Sequence, residues 1–398
     1  LFISGYFLPF GTFQELGLFL LLASAAVVVL KRPAILSGTF REPWVVVVLL
    51  FSLAVLAAVI TSSNPSASLR AARTTVFVRV LLVIAAFNIA LRNEEPGRLV
   101  RWLLPAFLLA LLGEEVLNIL QYLREYQQLG HLNPIGKAHI RYAGPILAIL
   151  PVALMGVEYY RDRFFKTVIF LMIVAGGIML LMTDSRSAWI GAAAGVGLYG
   201  GIVAKRRTFW LCALSVLAMV VLGYLFLPEH MVKDSVHRLL ALSSSERAGN
   251  GTWGACIDII KASPWFGHGY GREVYFQVYK TLSPLHPEWF WKHPMLPHNL
   301  LLEHWAFGGI FLLLATSALV LSPLFISIAI IKRSLQKDPA GRLCLAVCCG
   351  CLGAFLVRGL AENPTIDLYG LLMSAGTLLY IKSRGAFRPV ASGGRQRF

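Results

Sequence analysis

Charge is scarce in this 398-residue chain: Asp, Glu, Lys and Arg make up 14% of it, against 57% hydrophobic residues and a mean hydropathy of +0.69. A soluble protein of this length needs more polar surface to cover its core, so the composition excludes a water-exposed globular domain. Acidic residues are the scarcer sign, 20 against 36 basic, for a net charge of +16. The excess Lys and Arg flank apolar runs in the manner of cytoplasmic anchors, which sets nucleic acid aside as a partner. No basic n-region precedes the first apolar stretch, so no cleavable signal peptide is expected, and no repeat recurs at a fixed period. The one CxxC spacing among the six cysteines, Cys348 to Cys351, has no histidine near it in the sequence to complete a metal site. Cys344, Cys348, Cys349 and Cys351 crowd one apolar segment and read as small packing groups, as does Cys212 in another. Only Cys256 falls in a large polar loop, so that loop has no internal disulfide.

Metal signatures are missing too. His286, His293, His298 and His304 cluster without HExxH or Cys-pair spacing, and no DxD pair stands ready to hold a divalent cation for a sugar diphosphate. No metal and no cofactor are expected, and any bound diphosphate must be neutralised by arginine.

Long apolar runs are what the chain has in abundance. They predict spans near 14–30, 44–61, 76–91, 99–117, 143–157, 165–182, 187–204, 209–227, 299–331, 343–360 and 366–381, with residues 1–12 the remnant of another. The fold class is therefore an all-α polytopic membrane protein of about 11–12 transmembrane helices with one large helical periplasmic loop. Its organisation reads as transmembrane helices over 1–227, a periplasmic loop over 228–298, and transmembrane helices with a cytoplasmic tail over 299–398. Alternate connections carry most of the basic residues, from Lys31–Arg32–Arg41 to the tail beyond Lys382, which makes them cytoplasmic. The outward face then holds the loop around 118–142, the Thr183–Arg186 turn, the long loop and the Arg358–Asp367 connection. A connection of this length among hairpins is the expected functional element. Within it, Trp253 through Ala262 predicts a helix that stops before Pro264, followed by a permissive turn at Gly267, Gly269 and Gly271. That turn follows no strand, so it is no dinucleotide fingerprint; a hinge or a backbone anion cradle are its remaining readings.

Three outward residues could carry chemistry. An arginine at a helix end is ordinarily a snorkelling anchor, but Arg186 is the only basic residue in a tight outer turn, between Ser185 and Ser187. Its planar fork suits phosphate oxygens and stays charged, so it reads as a diphosphate clamp. Arg247 is either a solvated charge paired with Glu246 or a second member of that outer group. His298, between Pro297 and Asn299 at the mouth of a span, is either an interfacial cap or a general base on a sugar hydroxyl. Six residues further on, His304 is turned roughly 240° around the helix, too far to act on the same atom.

These residues carry a resemblance. The Ser185–Arg186 turn, an arginine upstream of a Trp-bearing helix that ends in SPWFGHGYGR, and the Pro297–His298–Asn299 entry to a span holding Gly308–Gly309 resemble the O-antigen ligase family. Its superfamily also holds O-antigen polymerases and bacterial protein O-oligosaccharyltransferases. One departure is that residues 248–252 separate Arg247 from Trp253, where the family keeps the two close. The resemblance implies a metal-independent, inverting glycosyltransferase of the bacterial inner membrane, multi-pass, with its active site on the periplasmic face. Its donor would be O-antigen linked to undecaprenyl diphosphate and its acceptor lipid A–core, with membrane lipids around both. His298 would act as base, while Arg186 and Arg247 stabilise the leaving diphosphate. Polymerase and protein O-oligosaccharyltransferase activity remain the alternatives, and a transporter would instead line a midplane path with its charges.

Overall fold

The computed structural model describes residues 11–129, 140–183, 185–203, 210, 214, 247 and 249–386. Among these residues there is helix and no strand. In lipid, a helix satisfies its backbone groups internally, so long apolar runs resolve into helices. In chain order they are α1 Gly11–Lys31, α2 Ala34–Phe40, α3 Pro43–Ile60, α4 Pro65–Ala90, α5 Pro96–Leu129, α6 Ile140–Tyr159, α7 Arg163–Met182, α8 Arg186–Ile202, α9 Thr252–Ala262, α10 Arg272–Leu282, α11 Leu300–Lys332, α12 Pro339–Leu360 and α13 Ile366–Ala386. Proline opens α3, α4 and α12, where its missing N–H leaves no helical bond unmade. Among the described residues six helices, α3, α4, α5, α7, α11 and α12, are long and apolar enough to cross a bilayer, and α6 holds a shorter apolar stretch. The protein is thus an all-α polytopic membrane protein. Ten of the eleven expected spans fall on these helices; the one near 209–227 lies outside the described residues except for Trp210 and Leu214.

Among the six candidate spans α12 is the most enclosed. Its apolar stretch is 83% buried, against 39–50% for the other five candidate spans. Small residues allow that enclosure. Gly350 packs on the Ala148 carbonyl of α6, Gly195 of α8 on that of Cys349, and Gly191 and Gly353 meet backbone to backbone. The thiols of Cys344, Cys348, Cys349 and Cys351 are buried and unpaired, as packing groups. Near its end α12 widens into a π-helical stretch, Leu352–Val357, and tightens to a single 3₁₀ turn, Arg358–Leu360. Such changes of pitch re-aim the side chains beyond them.

The long connection carries α9 and α10. α9 begins one residue before the expected Trp253 and ends at the expected Ala262. It is tied to the start of α11 by the Cys256 thiol donating to the Leu302 carbonyl, 3.6 Å. α11 breaks at Gly308 and Gly309, the latter at φ 65°. The carbonyls freed at Ala306 and Phe307 accept from His268 and Gly269 at 3.1 and 2.8 Å, and Ile310 N donates to Pro264 at 3.0 Å. The glycine turn therefore plugs the broken helix, and irregular backbone at this depth is satisfied by protein. Those amides are engaged, and Tyr270 N donates to Ser68 Oγ. The turn is no anion cradle.

Candidate active site

At one end of the bundle, the starts of α6 and α13, the end of α12 and the long connection up to His298 line a cavity of about 660 Å³. Its polar wall includes Arg247, Arg272, His298, Arg358, Glu362 and Asn363.

His298 is fixed through its neighbour Asn299. Asn299 caps α11 by accepting from Leu301 N and Leu302 N at 3.0 and 3.1 Å, and its Nδ2 donates to the Leu360 carbonyl at 3.0 Å. This fastens the mouth of α11 to the end of α12. His298 itself sits at φ 50°, a left-handed conformation uncommon for a side-chain-bearing residue and concentrated at functional positions. Its Nδ1 lies 3.4 Å from Glu362 Oε2. With the proton on Nδ1, donated to the carboxylate, Nε2 keeps a lone pair and is the nitrogen able to take a proton. Burial alone would raise the Glu362 carboxyl. The hydrogen bond and charge of His298, then the charges of Arg358 and Arg247, outweigh it and hold the acid below the ordinary glutamate range.

The same carboxylate reaches Arg247, whose Nη2 lies 3.8 Å from Glu362 Oε1 while its Nη1 donates to the Ala361 carbonyl at 3.1 Å. The insertion after Arg247 does not carry it away. Trp253 N donates to the Arg247 carbonyl at 3.0 Å, so the extra residues fold back, with Gly249 at φ 58°. On the opposite flank, Arg272 Nε lies 3.5 Å from Glu303, a carboxylate buried in the first turn of α11. Thr252 Oγ1 and both polar side-chain atoms of Asn363, all on the cavity wall, are buried without a protein partner.

Of the three residues expected from the sequence, His298 and Arg247 are brought together on Glu362. Arg186 is the first residue of α8, exposed, and outside the cavity lining. Ser185 caps that helix by accepting from Ala188 N at 3.3 Å. His304 turns away from the cavity to hydrogen-bond Thr316 at 2.7 Å among Phe51, Tyr270 and Phe307. Of the other histidines, His286 stacks on Trp289 and joins Glu288 and Asp258 in the one group of three or more such side chains close enough to share a metal ion among the described residues. Lys261 already pairs with that Asp258, at 3.0 Å.

Sequence reading did not single out Arg272, Arg358 or Glu362. Arg358 gave the signal that marked Arg186, a basic residue on an outward connection. Glu362 gave none, being 64 residues from the histidine it meets.

The family model described as O-antigen ligase matches residues 168–317. The chain is also 27% identical over 400 aligned residues to the O-antigen ligase of Salmonella typhimurium (strain LT2), covering 96% of this chain and 94% of that one. The expected likeness to the O-antigen ligase family is borne out. The family match includes Arg186, Arg247 and His298 and stops short of Arg358 and Glu362.

Proposed function

We propose that this O-antigen-ligase-type enzyme transfers an O-antigen glycan from undecaprenyl diphosphate to a sugar hydroxyl of lipid A–core, at the periplasmic face of the bacterial inner membrane. The observation that carries the reading is the His298–Glu362–Arg247 chain on one wall of a cavity at a single end of a membrane bundle. His298 Nε2 takes the acceptor hydroxyl proton as the oxygen bonds to the anomeric carbon. The bond from that carbon to the diphosphate oxygen breaks, and the leaving group carries the electron pair away. Positioned proton transfer of this kind contributes roughly 10²–10⁴-fold. Arg247 answers the charge growing on the diphosphate, with Arg186 at the neighbouring helix mouth in the same role. Thr252 and Asn363 leave hydrogen-bonding atoms for sugar hydroxyls.

Glu362 is the one carboxylate among the described lining residues, and it is engaged by His298 and Arg247. A covalent glycosyl intermediate would need a free carboxylate nucleophile; direct displacement, with inversion, needs none. Arginines in the place of a cation suit metal-independent chemistry. The test is to incubate purified protein with lipid-linked glycan and lipid A–core in EDTA. Glycosylated lipid A–core of inverted linkage is the expected product. Longer donor-linked chains would make the protein a polymerase, and loss of activity on chelation with recovery on adding metal would refute the arginine role.

A further inference from the structure

One guanidinium on the cavity wall has no carboxylate paired to it among the described residues. Arg358 is 6% exposed, its Nε is buried without a hydrogen-bond partner, and its side chain makes no hydrogen bond or ion pair among those residues. The other two arginines among the described lining residues each have a carboxylate within 4 Å, Arg247 at Glu362 and Arg272 at Glu303. Arg358 shares the cavity with them and has none so close, the Glu362 carboxylate attracting it from farther off. A buried cation in that state is retained at a cost to stability, which a bound anion removes.

Its position is built. The π-helical stretch Leu352–Val357 and the 3₁₀ turn after it set the residue at the rim, and the Gly191–Gly353 crossing locks that stretch against α8. The neighbouring α6 leaves room for the guanidinium at Gly144: a Cβ there would stand 2.9 Å from Arg358 Nη1. Buried fork geometry suits phosphate oxygens better than a point charge does.

We propose that Arg358 binds the donor's diphosphate directly, as the described lining arginine with no carboxylate within ion-pair distance. This rests on the ligase reading and adds a residue beyond the segment matched by the family. During transfer it neutralises the leaving diphosphate together with Arg247, and Glu362 keeps His298 oriented between them.

The experiment uses the full chain in lipid nanodiscs with undecaprenyl diphosphate as probe, following both affinity and thermal unfolding. Arg358→Gln should weaken binding about 10- to 100-fold, the effect of losing charge-assisted hydrogen bonds. Arg358→Lys should fall between the two. Gly144→Ala, which keeps the arginine and displaces its fork, should weaken binding in the same direction. Without ligand, Arg358→Gln should melt close to the wild-type temperature, because the cost of burying the charge and its attraction to Glu362 are lost together. Unchanged affinity in Arg358→Gln overturns the proposal, as does a lowered ligand-free melting temperature with the ligand-induced rise intact. If Arg358→Gln does not fold, wild-type affinity in Arg358→Lys and Gly144→Ala overturns it instead. A wild-type protein that neither binds the probe nor transfers glycan would fail the ligase reading itself, a result distinct from these.

Discussion

At the scale of single residues, the site depends on a carboxylate that orients a histidine. His298→Ala should abolish ligation with insertion intact, whereas His304→Ala should act through packing, because its ring bonds Thr316 away from the cavity. Surface lipopolysaccharide in complemented cells lacking their own ligase reads both; O-antigen restored by His298→Ala would remove the histidine from the mechanism. Glu362→Gln keeps an acceptor for Nδ1 and loses the charge, so turnover should fall about tenfold, near 1.4 kcal/mol. The pH dependence comes from the sign of the Glu362 shift. A carboxyl held low in the folded state stabilises it above the unfolded value, about 4.3, and loses that contribution as pH falls through the lower folded value. The stability gap between wild type and Glu362→Gln should therefore be open near pH 5 and close as pH falls below about 4, measured by thermal melts. Arg186 is the residue for which mutation is most informative, since it lies at a helix mouth outside the cavity lining. Arg186→Lys should lower turnover ~30-fold or more if its planar fork meets phosphate. Full activity in Arg186→Ala would leave it a membrane anchor.

At the scale of elements, the break in α11 and the glycine turn are one structure. The turn supplies donors to Ala306 and Phe307, and Gly309 must adopt φ 65° against the Trp265 carbonyl. A side chain at 309 meets both a conformational barrier and the backbone of the turn. Gly309→Val should destabilise the protein by about 2–4 kcal/mol and release 263–271 from α11. Hydrogen exchange at His268 and Gly269 is the direct measure, and protection retained there would mean the break tolerates a β-carbon. The sequence carried half of this element. Pro264 and the three glycines announced a stop and a turn, but nothing local said that its partner was a second glycine pair some forty residues on.

At the scale of the molecule, everything rests on one end of the bundle facing outward. Residues of the cavity come from the starts of α6 and α13, the end of α12 and the connection leading into α11, as alternation of antiparallel spans requires. Asn250→Cys and Ser66→Cys, both exposed and on the cavity side of the bundle, should react with an impermeant maleimide in intact spheroplasts. Lys337→Cys, on a basic connection, should react only after lysis. The five described native thiols are buried, and burial pushes the Cys256 thiol up to about 12. The reverse pattern would move the site to the cytoplasm and exclude a periplasmic acceptor.

The sequence alone determined the helical membrane class, because hydropathy and the satisfaction of backbone groups in lipid leave helices as the answer to apolar runs of this length. It also marked His298 and Arg247, through an out-of-place polar residue at a span mouth and a motif. Only the tertiary structure could bring Glu362 to His298, fold the insertion so that Arg247 stays beside Trp253, and bury Arg358 without a partner. Those facts depend on how α11, α12 and the long connection pack, and charge complementarity across some sixty residues of chain leaves no periodicity for a sequence to display.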